Sequence, residues 1–254
     1  MVLKDVHGGH WGLNMMDPGA ISNGYKEAEI AHSINNLMVK YTGVPDTSDY
    51  LGKTVLENLE NIVDNMNKRP GDYHISNHLN AYNGIASGVE VWYLEGDEES
   101  RQMAAKVSAV IAKTTGLYDR GAKATTGLYV IRNSIGRTLL IEWGFIDNQD
   151  DLRKLLPKME KAVQEVVKLF GYSGNLPKPG EPNTQIKKVG KIMLLFRSPN
   201  DPKVYFLLGN KYAHVQSESD LSKIKELMTK YGYDTTVCTD ETQISYIKKA
   251  SFSE

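Results

Sequence analysis

Cysteine is nearly absent from this sequence, which has only Cys238 in 254 residues. An intrachain disulfide and a thiolate zinc cluster are therefore excluded, and folding in a reducing compartment is expected. No stretch approaches the roughly 18 consecutive apolar residues of a membrane span, so we expect no membrane insertion. Residues 1–5 also lack the long apolar run of an export signal, and we expect no signal peptide.

A strong charge of either sign is also missing. The chain carries 30 Lys and Arg residues against 31 Asp and Glu residues, which gives a formal net charge of −1. The C-terminal part from residue 176 is mildly basic, but its excess of positive charge is too small to indicate nucleic acid, and we expect no nucleic acid as a partner. The length suffices for one α/β domain with a small companion, because single cores usually stop growing near about 250 to 300 residues.

Most of the chain alternates short apolar segments with segments of helical periodicity. This alternation predicts an α/β domain over residues 1–172, with a mixed, mostly parallel sheet covered by helices on both faces. The last of these helices is predicted to have Pro157 in its first turn. Strands are predicted at 2–3, 73–76, 89–94, 128–131 and 138–141, and further helices at about 26–41, 55–66 and 99–115.

Prolines and glycines interrupt this pattern between residues 171 and 183. Such a segment is typical of an interdomain linker, which we place at residues 173–187. Residues 188–254 are predicted to form a small C-terminal α+β module. Its strands are predicted at 191–196, 204–208, 212–215 and 235–238, and its helices at about 221–231 and 243–249.

Two histidines in separate segments are candidate metal ligands. His10 follows the first predicted strand in a glycine-rich loop, and α/β sheets place their sites at the carboxyl ends of strands. His7 is a rival ligand in the same segment. His78 follows strand 73–76 near the same edge, whereas His74 is expected to pack or to support a ligand. Two imidazoles together with one carboxylate are a known ligand set for catalytic zinc.

Glu27 is the candidate carboxylate ligand. It lies at the start of the first predicted helix and shares a helix face with Ala31, Ile34 and Met38, so its side chain is predicted to point inward. Glu29 falls on the solvated face instead. A buried carboxylate is costly without a partner, and a metal ion is a sufficient one.

Glu142 follows Thr138–Ile141, an apolar run typical of a central strand. An ionisable residue at that edge is conspicuous. A carboxylate that lies near a zinc ion without closing its fourth position can accept a proton from water. The inventory of two imidazoles and two carboxylates therefore indicates a hydrolase.

Four ordered motifs carry a resemblance to a known family. They are Gly9-His10-Trp11-Gly12 leading to Asp17-Pro18-Gly19-Ala20, Gly24-Tyr25-Lys26-Glu27, Ser76-Asn77-His78-Leu79-Asn80-Ala81 and Glu142-Trp143-Gly144-Phe145. Over about residues 1–170 the chain resembles the zinc-dependent N-acetylmuramoyl-L-alanine amidases of the amidase-3 type. The resemblance implies a zinc (Zn2+) cofactor with His10, Glu27 and His78 as ligands. It also implies that Glu142 is the catalytic acid/base, and the rivalry of His7 with His10 stays open.

The resemblance further implies a substrate and a setting. The bond hydrolysed would be the amide between N-acetylmuramic acid and L-alanine in bacterial peptidoglycan. The two-part layout without an export signal looks more like a bacteriophage endolysin that lyses its host than like an exported autolysin. Such an enzyme would stay in the host cytoplasm before lysis and then act on the cell wall. Residues 188–254 would bind the wall of a Gram-positive host, including its secondary wall polymers.

Two alternatives remain open from the sequence. One is a zinc peptidase that cuts within the peptidoglycan stem peptide, because the same metal chemistry cleaves peptide bonds. The other is a non-catalytic wall-binding protein whose metal site has decayed. The products released from peptidoglycan distinguish these alternatives from an amidase.

Overall fold

The computed structural model describes residues 2–69, 71–173, 193–197, 204–208, 211–215, 217–230 and 237–238. The chain divides into two compact units, residues 1–189 and 190–254. No helix in these described ranges is long and apolar enough to cross a membrane. Most of the predicted linker, 174–187, and the helix predicted near 243–249 lie outside the described residues.

A five-stranded sheet forms the centre of the first unit, and two short strands pair beside it. The strands are β1 (Leu3–Gly8), β2 (Ile21–Ser22), β3 (Tyr25–Lys26), β4 (Gly71–Asn80), β5 (Val89–Leu94), β6 (Asp119–Thr125) and β7 (Gly136–Phe145). The order across the large sheet is β1-β4-β7-β5-β6. Its pairs are parallel except for β5 with β7, which is antiparallel. The predicted mixed, mostly parallel sheet is therefore confirmed.

The helices of this unit begin and end at residues whose side chains or backbone conformations favour a boundary. Thr54 and Asp97 accept hydrogen bonds from first-turn N–H groups, and Gly43 and Gly116 end two helices in the left-handed conformation. The helices are α1 (Glu27–Thr42), α2 (Val55–Asn67), α3 (Glu98–Thr115), α4 (Tyr129–Asn133), α5 (Gln149–Leu155) and α6 (Met159–Leu169).

Two hydrophobic cores lie on opposite faces of the sheet, as the alternation of β7 shows. Leu139 and Ile141 belong to the larger core with α1, α3 and α6, whereas Leu140 packs with α2 and α4 on the other face. Each large apolar side chain that is fully buried contributes about 1.5–3 kcal/mol. The prediction of helices on both faces is thus confirmed, and the strands between them are held rigidly.

Three predictions for local structure differ from the structure. Residues 128–131 were predicted as a strand but lead into helix α4, where Val130 and Ile131 pack against α2; a short apolar run does not distinguish the two conformations. Strand β6 was not predicted, because its sequence is polar and it lies at the sheet edge. Pro157 lies in a short 3-10 turn, Leu156–Lys158, that precedes α6.

The second unit combines a small sheet with one described helix. Its strand order is β10-β9-β8-β11, with β11 parallel to β8 and the other pairs antiparallel. This composition confirms the predicted α+β class. The elements are β8 (Met193–Arg197), β9 (Val204–Leu208), β10 (Lys211–His214), α7 (Glu218–Lys230) and β11 (Val237–Cys238).

Candidate metal centre

The loop after β1 fixes the imidazole of His10. His10 and Trp11 both adopt positive φ angles, 65° and 97°, which residues with side chains rarely do. Two backbone hydrogen bonds, 2.8 and 2.9 Å long, join Trp11 to Asp17. The Asp17 carboxylate lies 2.9 Å from His10 Nδ1 and accepts a second bond from Gly19 N. With Nδ1 occupied, His10 Nε2 is the ring nitrogen left for other partners.

Glu27 lies at the meeting point of three segments. It is the first residue of α1 and only 5% exposed, as its helical position predicted. Its Oε2 accepts a hydrogen bond from Ala20 N, and its Oε1 accepts one from Leu79 N. The same Oε1 lies 3.0 Å from His10 Nε2 and 3.1 Å from His78 Nδ1. The carboxylate is therefore fixed by backbone groups while it faces both imidazoles.

His78 approaches this carboxylate from near the end of β4. Its ring meets the ring of His10 edge to face, with the centroids 4.9 Å apart. Gly9 makes this approach possible, because a Cβ atom at that position would lie 1.9 Å from His78 Cε1. The glycine in the loop is therefore a steric requirement for bringing the two histidines together.

The donor set fits a zinc ion. One ligand atom each from His10, Glu27 and His78 lies within 4.8 Å of the others. Ligand atoms about 2.0–2.1 Å from a tetrahedral zinc lie roughly 3.3 Å apart, close to the two separations of about 3 Å between carboxylate and imidazoles. The contact of Asp17 with His10 Nδ1 is also the arrangement that orients a zinc-bound histidine.

Opposite charges compensate each other in this cluster. Burial alone would lower the pKa of His10, but hydrogen bonds and charge interactions with Glu27 and Asp17 raise it to about 9. Burial would raise the pKa of Glu27, yet the two histidines hold it well below its usual range. A cation between the three side chains would replace the protons that now bridge them.

Glu142 lies beside this cluster on the same sheet. On β7 it is the register partner of His78 on β4, and on its other side it is the partner of Glu90 on β5. Its Oε2 is buried and has no hydrogen-bond partner among the described residues. Burial, followed by the carboxylates of Glu27 and Glu90, raises the pKa of Glu142 well above its usual value. A carboxyl group in this state favours proton uptake.

The two other histidines of these strands do not join the cluster. His7 is fully buried, and neither ring nitrogen has a hydrogen-bond partner in the described ranges. Burial holds the pKa of His7 well below 6.5. His74 is also fully buried and pairs with Asp5 at 2.9 Å. The structure thus brings His10, rather than its rival, to Glu27 and His78.

A chain of polar side chains lies next to Glu142, and the sequence predicts no role for two of its members, Glu90 and Arg120. Glu90 is buried, and one of its oxygens accepts a 2.6 Å bond from Arg120 Nε while the other accepts from Asn80 Nδ2 at 3.0 Å. One available signal was Glu90 itself, an ionisable residue between the buried Val89 and Val91. Its arginine partner is 30 positions away and on another strand, so no local pattern indicates it.

Comparison with known proteins is consistent with this geometry. Residues 6–168 match the family described as N-acetylmuramoyl-L-alanine amidase, Amidase_3. Among curated relatives, an uncharacterized cell wall amidase of Bacillus anthracis is 29% identical over 67% of this chain and 33% of its own length. The N-acetylmuramoyl-L-alanine amidase LytC of Bacillus subtilis is 30% identical over 59% of this chain and 32% of its own. The chain thus spans about a third of these two relatives.

A solved structure shows the same fold. The catalytic domain of CD27L, an endolysin targeting Clostridia difficile, superposes with a TM-score of 0.59 at 22% identity. The match covers 67% of this chain and 97% of that domain. At this identity the similarity concerns the fold alone. The family match covers well over half of the sequence, and this chain belongs to the N-acetylmuramoyl-L-alanine amidase family.

Proposed function

We propose that this chain is a zinc-dependent N-acetylmuramoyl-L-alanine amidase. It hydrolyses the amide bond between N-acetylmuramic acid and L-alanine in peptidoglycan. The observation that carries the proposal is the convergence of His10, Glu27 and His78, with Glu142 in register beside His78. Two imidazoles and a carboxylate around an open position, next to a free acid, are the groups that a zinc hydrolase needs.

In this mechanism His10, Glu27 and His78 would hold the zinc ion. When bound, zinc supplies Lewis acidity, which acidifies water and polarises a carbonyl group. Asp17 keeps His10 Nδ1 protonated, so that Nε2 stays free for the metal. Glu142 removes a proton from the attacking water and returns it to the nitrogen of the departing L-alanine. Its buried, unpartnered Oε2 suits this exchange, because no internal hydrogen bond among the described residues competes for the proton.

The decisive experiment combines product analysis with one substitution. Digestion of purified peptidoglycan is expected to release new amino groups on L-alanine and no new reducing ends. Glu142→Gln should retain stoichiometric zinc but lose activity by at least about 100-fold, the lower range for a general acid/base. Glu60→Gln, at an exposed position of α2, is the matched control and should behave as the unaltered protein. Full activity of Glu142→Gln would remove this residue from the mechanism.

The same digest distinguishes the two alternative functions. A zinc peptidase that cuts within the stem peptide would expose amino groups of other residues and leave L-alanine attached to the glycan. A non-catalytic wall-binding protein would sediment with walls and release neither product. The cluster favours catalysis, because it offers three ligands, His10, Glu27 and His78, and catalytic zinc sites have three protein ligands with water in the fourth position.

We further propose that the enzyme is the endolysin of a bacteriophage, held in the host cytoplasm until lysis. In this proposal residues 1–172 form the catalytic domain and residues 173–187 form a linker. Residues 188–254 form a cell-wall-binding domain for peptidoglycan and secondary wall polymers of a Gram-positive host. The full chain fused to a fluorescent protein should decorate Gram-positive walls, and deletion of 188–254 should abolish the decoration. Equal decoration by both proteins would contradict the wall-binding role.

A further inference from the structure

Arg120 lies on β6 with its guanidinium group fixed in position. Its Nε donates a 2.6 Å hydrogen bond to Glu90 Oε2, and its Nη1 lies 3.4 Å from the carbonyl oxygen of Ser87. Its central carbon lies 5.1 Å from the ring centroid of Phe145. The side chain is therefore held from three directions, by Glu90, Ser87 and Phe145.

The position of Arg120 relative to Glu142 follows from the strand register. Glu90 is the register partner of Glu142 on one side and of Gly121 on the other. Neighbouring strands lie about 4.8 Å apart, so Arg120 originates roughly 10 Å from the strand that carries Glu142. Its guanidinium reaches back over β5 to Glu90, which shortens the distance to the candidate catalytic centre.

Part of this guanidinium group is available to a ligand. An arginine has five N–H donors in a planar fork, and Nη2 of Arg120 has no partner among the described residues. The side chain is 31% exposed, whereas the Glu90 side chain that anchors it is 4% exposed. A fixed and partly exposed fork binds carboxylates with little loss of conformational freedom.

The loop that supplies Ser87 is itself held firmly. Asp147 Oδ2 accepts hydrogen bonds from Tyr82 N and Gly84 N, and Asn148 Nδ2 donates to the carbonyl oxygens of residues 85 and 86. Tyr82 is nevertheless 79% exposed. The loop therefore holds Ser87 in position next to Arg120, which in turn contacts Glu90, the register partner of Glu142.

We propose that Arg120 is a specificity-determining residue that binds a free carboxylate of the stem peptide. The proposal rests on the amidase function proposed above. In peptidoglycan, L-alanine is followed by a D-glutamyl residue joined through its side chain, so that its α-carboxyl group is either free or amidated. An extended chain advances about 3.3–3.6 Å per residue, so this group lies roughly 7 Å from the scissile bond. That separation is comparable to the strand spacing of about 4.8 Å between Glu142 and Glu90, the residue that anchors Arg120.

A pair of substrates that differ at one group tests the proposal. They are N-acetylmuramoyl-L-alanyl-D-glutamate and its α-amide, N-acetylmuramoyl-L-alanyl-D-isoglutamine. The unaltered enzyme should prefer the carboxylate by about 10- to 100-fold in kcat/KM, the value of a charge-assisted, two-point contact. Arg120→Lys keeps a cation next to Glu90 but lacks the planar fork, and should lose most of this preference. The loss should occur in KM for the carboxylate substrate, with kcat changed less than about twofold.

Two further variants protect the test against misfolding. The double variant Arg120→Gln, Glu90→Gln removes the partly exposed arginine charge together with the buried glutamate charge that it neutralises, and it should abolish the preference. Arg137→Gln is the matched control, because Arg137 is equally exposed at 33%, forms ion pairs with Asp97 and Glu99, and begins β7 far from Glu142. It should keep the full preference.

Three results would overturn the inference. Equal turnover of both substrates by the unaltered enzyme would show that no group recognises the carboxylate. An unchanged preference in the Arg120 variants would assign recognition elsewhere. A fall in kcat for both substrates alike would show that Arg120 acts only by supporting Glu90 and Glu142. If the unaltered enzyme releases L-alanyl products from neither substrate nor peptidoglycan, the amidase function itself fails, which is a separate outcome.

Discussion

Replacement of Asp17 by asparagine should weaken zinc binding while leaving the loop intact. One carboxylate oxygen of Asp17 accepts from Gly19 N, and the other lies 2.9 Å from His10 Nδ1. Asparagine keeps an oxygen for Gly19 but presents an NH2 group to the imidazole. His10 would then have to accept at Nδ1 and carry its proton on Nε2, the atom that faces Glu27.

The expected magnitude follows from similar supporting contacts. Loss of a residue that orients a metal-bound histidine reduces metal affinity by roughly 10- to 100-fold, which corresponds to about 1.4–2.7 kcal/mol of binding free energy. A competition titration against a chromogenic chelator at pH 7.5 measures this directly. Asp17→Ala should also weaken zinc binding, but its effect has two causes. It removes the contact with His10, and it also removes the acceptor for Gly19 N, which destabilises the metal-free protein.

A carboxylate away from the metal centre, that of Asp119, provides the control. Asp119→Asn alters a carboxylate that bonds Ser108 Oγ and Gly121 N instead, and zinc affinity should stay within about twofold of the unaltered protein. If Asp17→Asn binds zinc as tightly as the unaltered protein does, His10 is not oriented by Asp17. The assignment of His10 Nε2 as a ligand would then lose its structural support.

Three further predictions concern the steric, electrostatic and packing features of the first unit. Gly9→Ala should abolish zinc binding while the fold persists, because the added Cβ would lie 1.9 Å from His78 Cε1; equilibrium dialysis with circular dichroism checks both. In the metal-free protein the raised pKa of His10, about 9 against 6.5, contributes stability that is fully present below pH 6.5 and is lost as pH rises through 9. Urea unfolding at pH 6 and pH 10 should show this loss, and the same loss in His10→Gln would assign it to other groups. Trp143→Phe should lower the unfolding free energy by about 1–3 kcal/mol, since the buried Asn77 Oδ1 loses a 2.9 Å bond from Trp143 Nε1; unchanged urea unfolding would contradict this.

Much of the first unit could be predicted because its signals are local. The apolar run before Glu142 lies in a central strand, where neighbours on both faces require hydrophobic side chains. Glu27 could be assigned an inward direction because helical periodicity fixes which residues share a face. The conformation of residues 128–131 could not be predicted. A run of four apolar residues packs equally well as a strand or as a helix, and the contact with α2 decides between the two conformations.

Contacts between residues that are far apart in the sequence could not be predicted either. The contact of Glu90 with Arg120 depends on which strands become neighbours and in which register. The order and the register of the strands result from the packing of the whole sheet. The family motif already favours His10 over His7, but the physical reason is visible only in the folded loop, where a turn with two positive φ angles brings His10 to Glu27.

The reversal of strand direction between β7 and β5 would separate the proposed catalytic residues from the proposed recognition residue. His78 and Glu142 sit at strand exits, while Glu90 sits at a strand entrance, so the short crossover at residues 81–88 runs along the rim between them. In the proposed amidase, a longer or differently charged crossover at this place would change the surface next to Glu90 and leave His10, Glu27 and His78 in position.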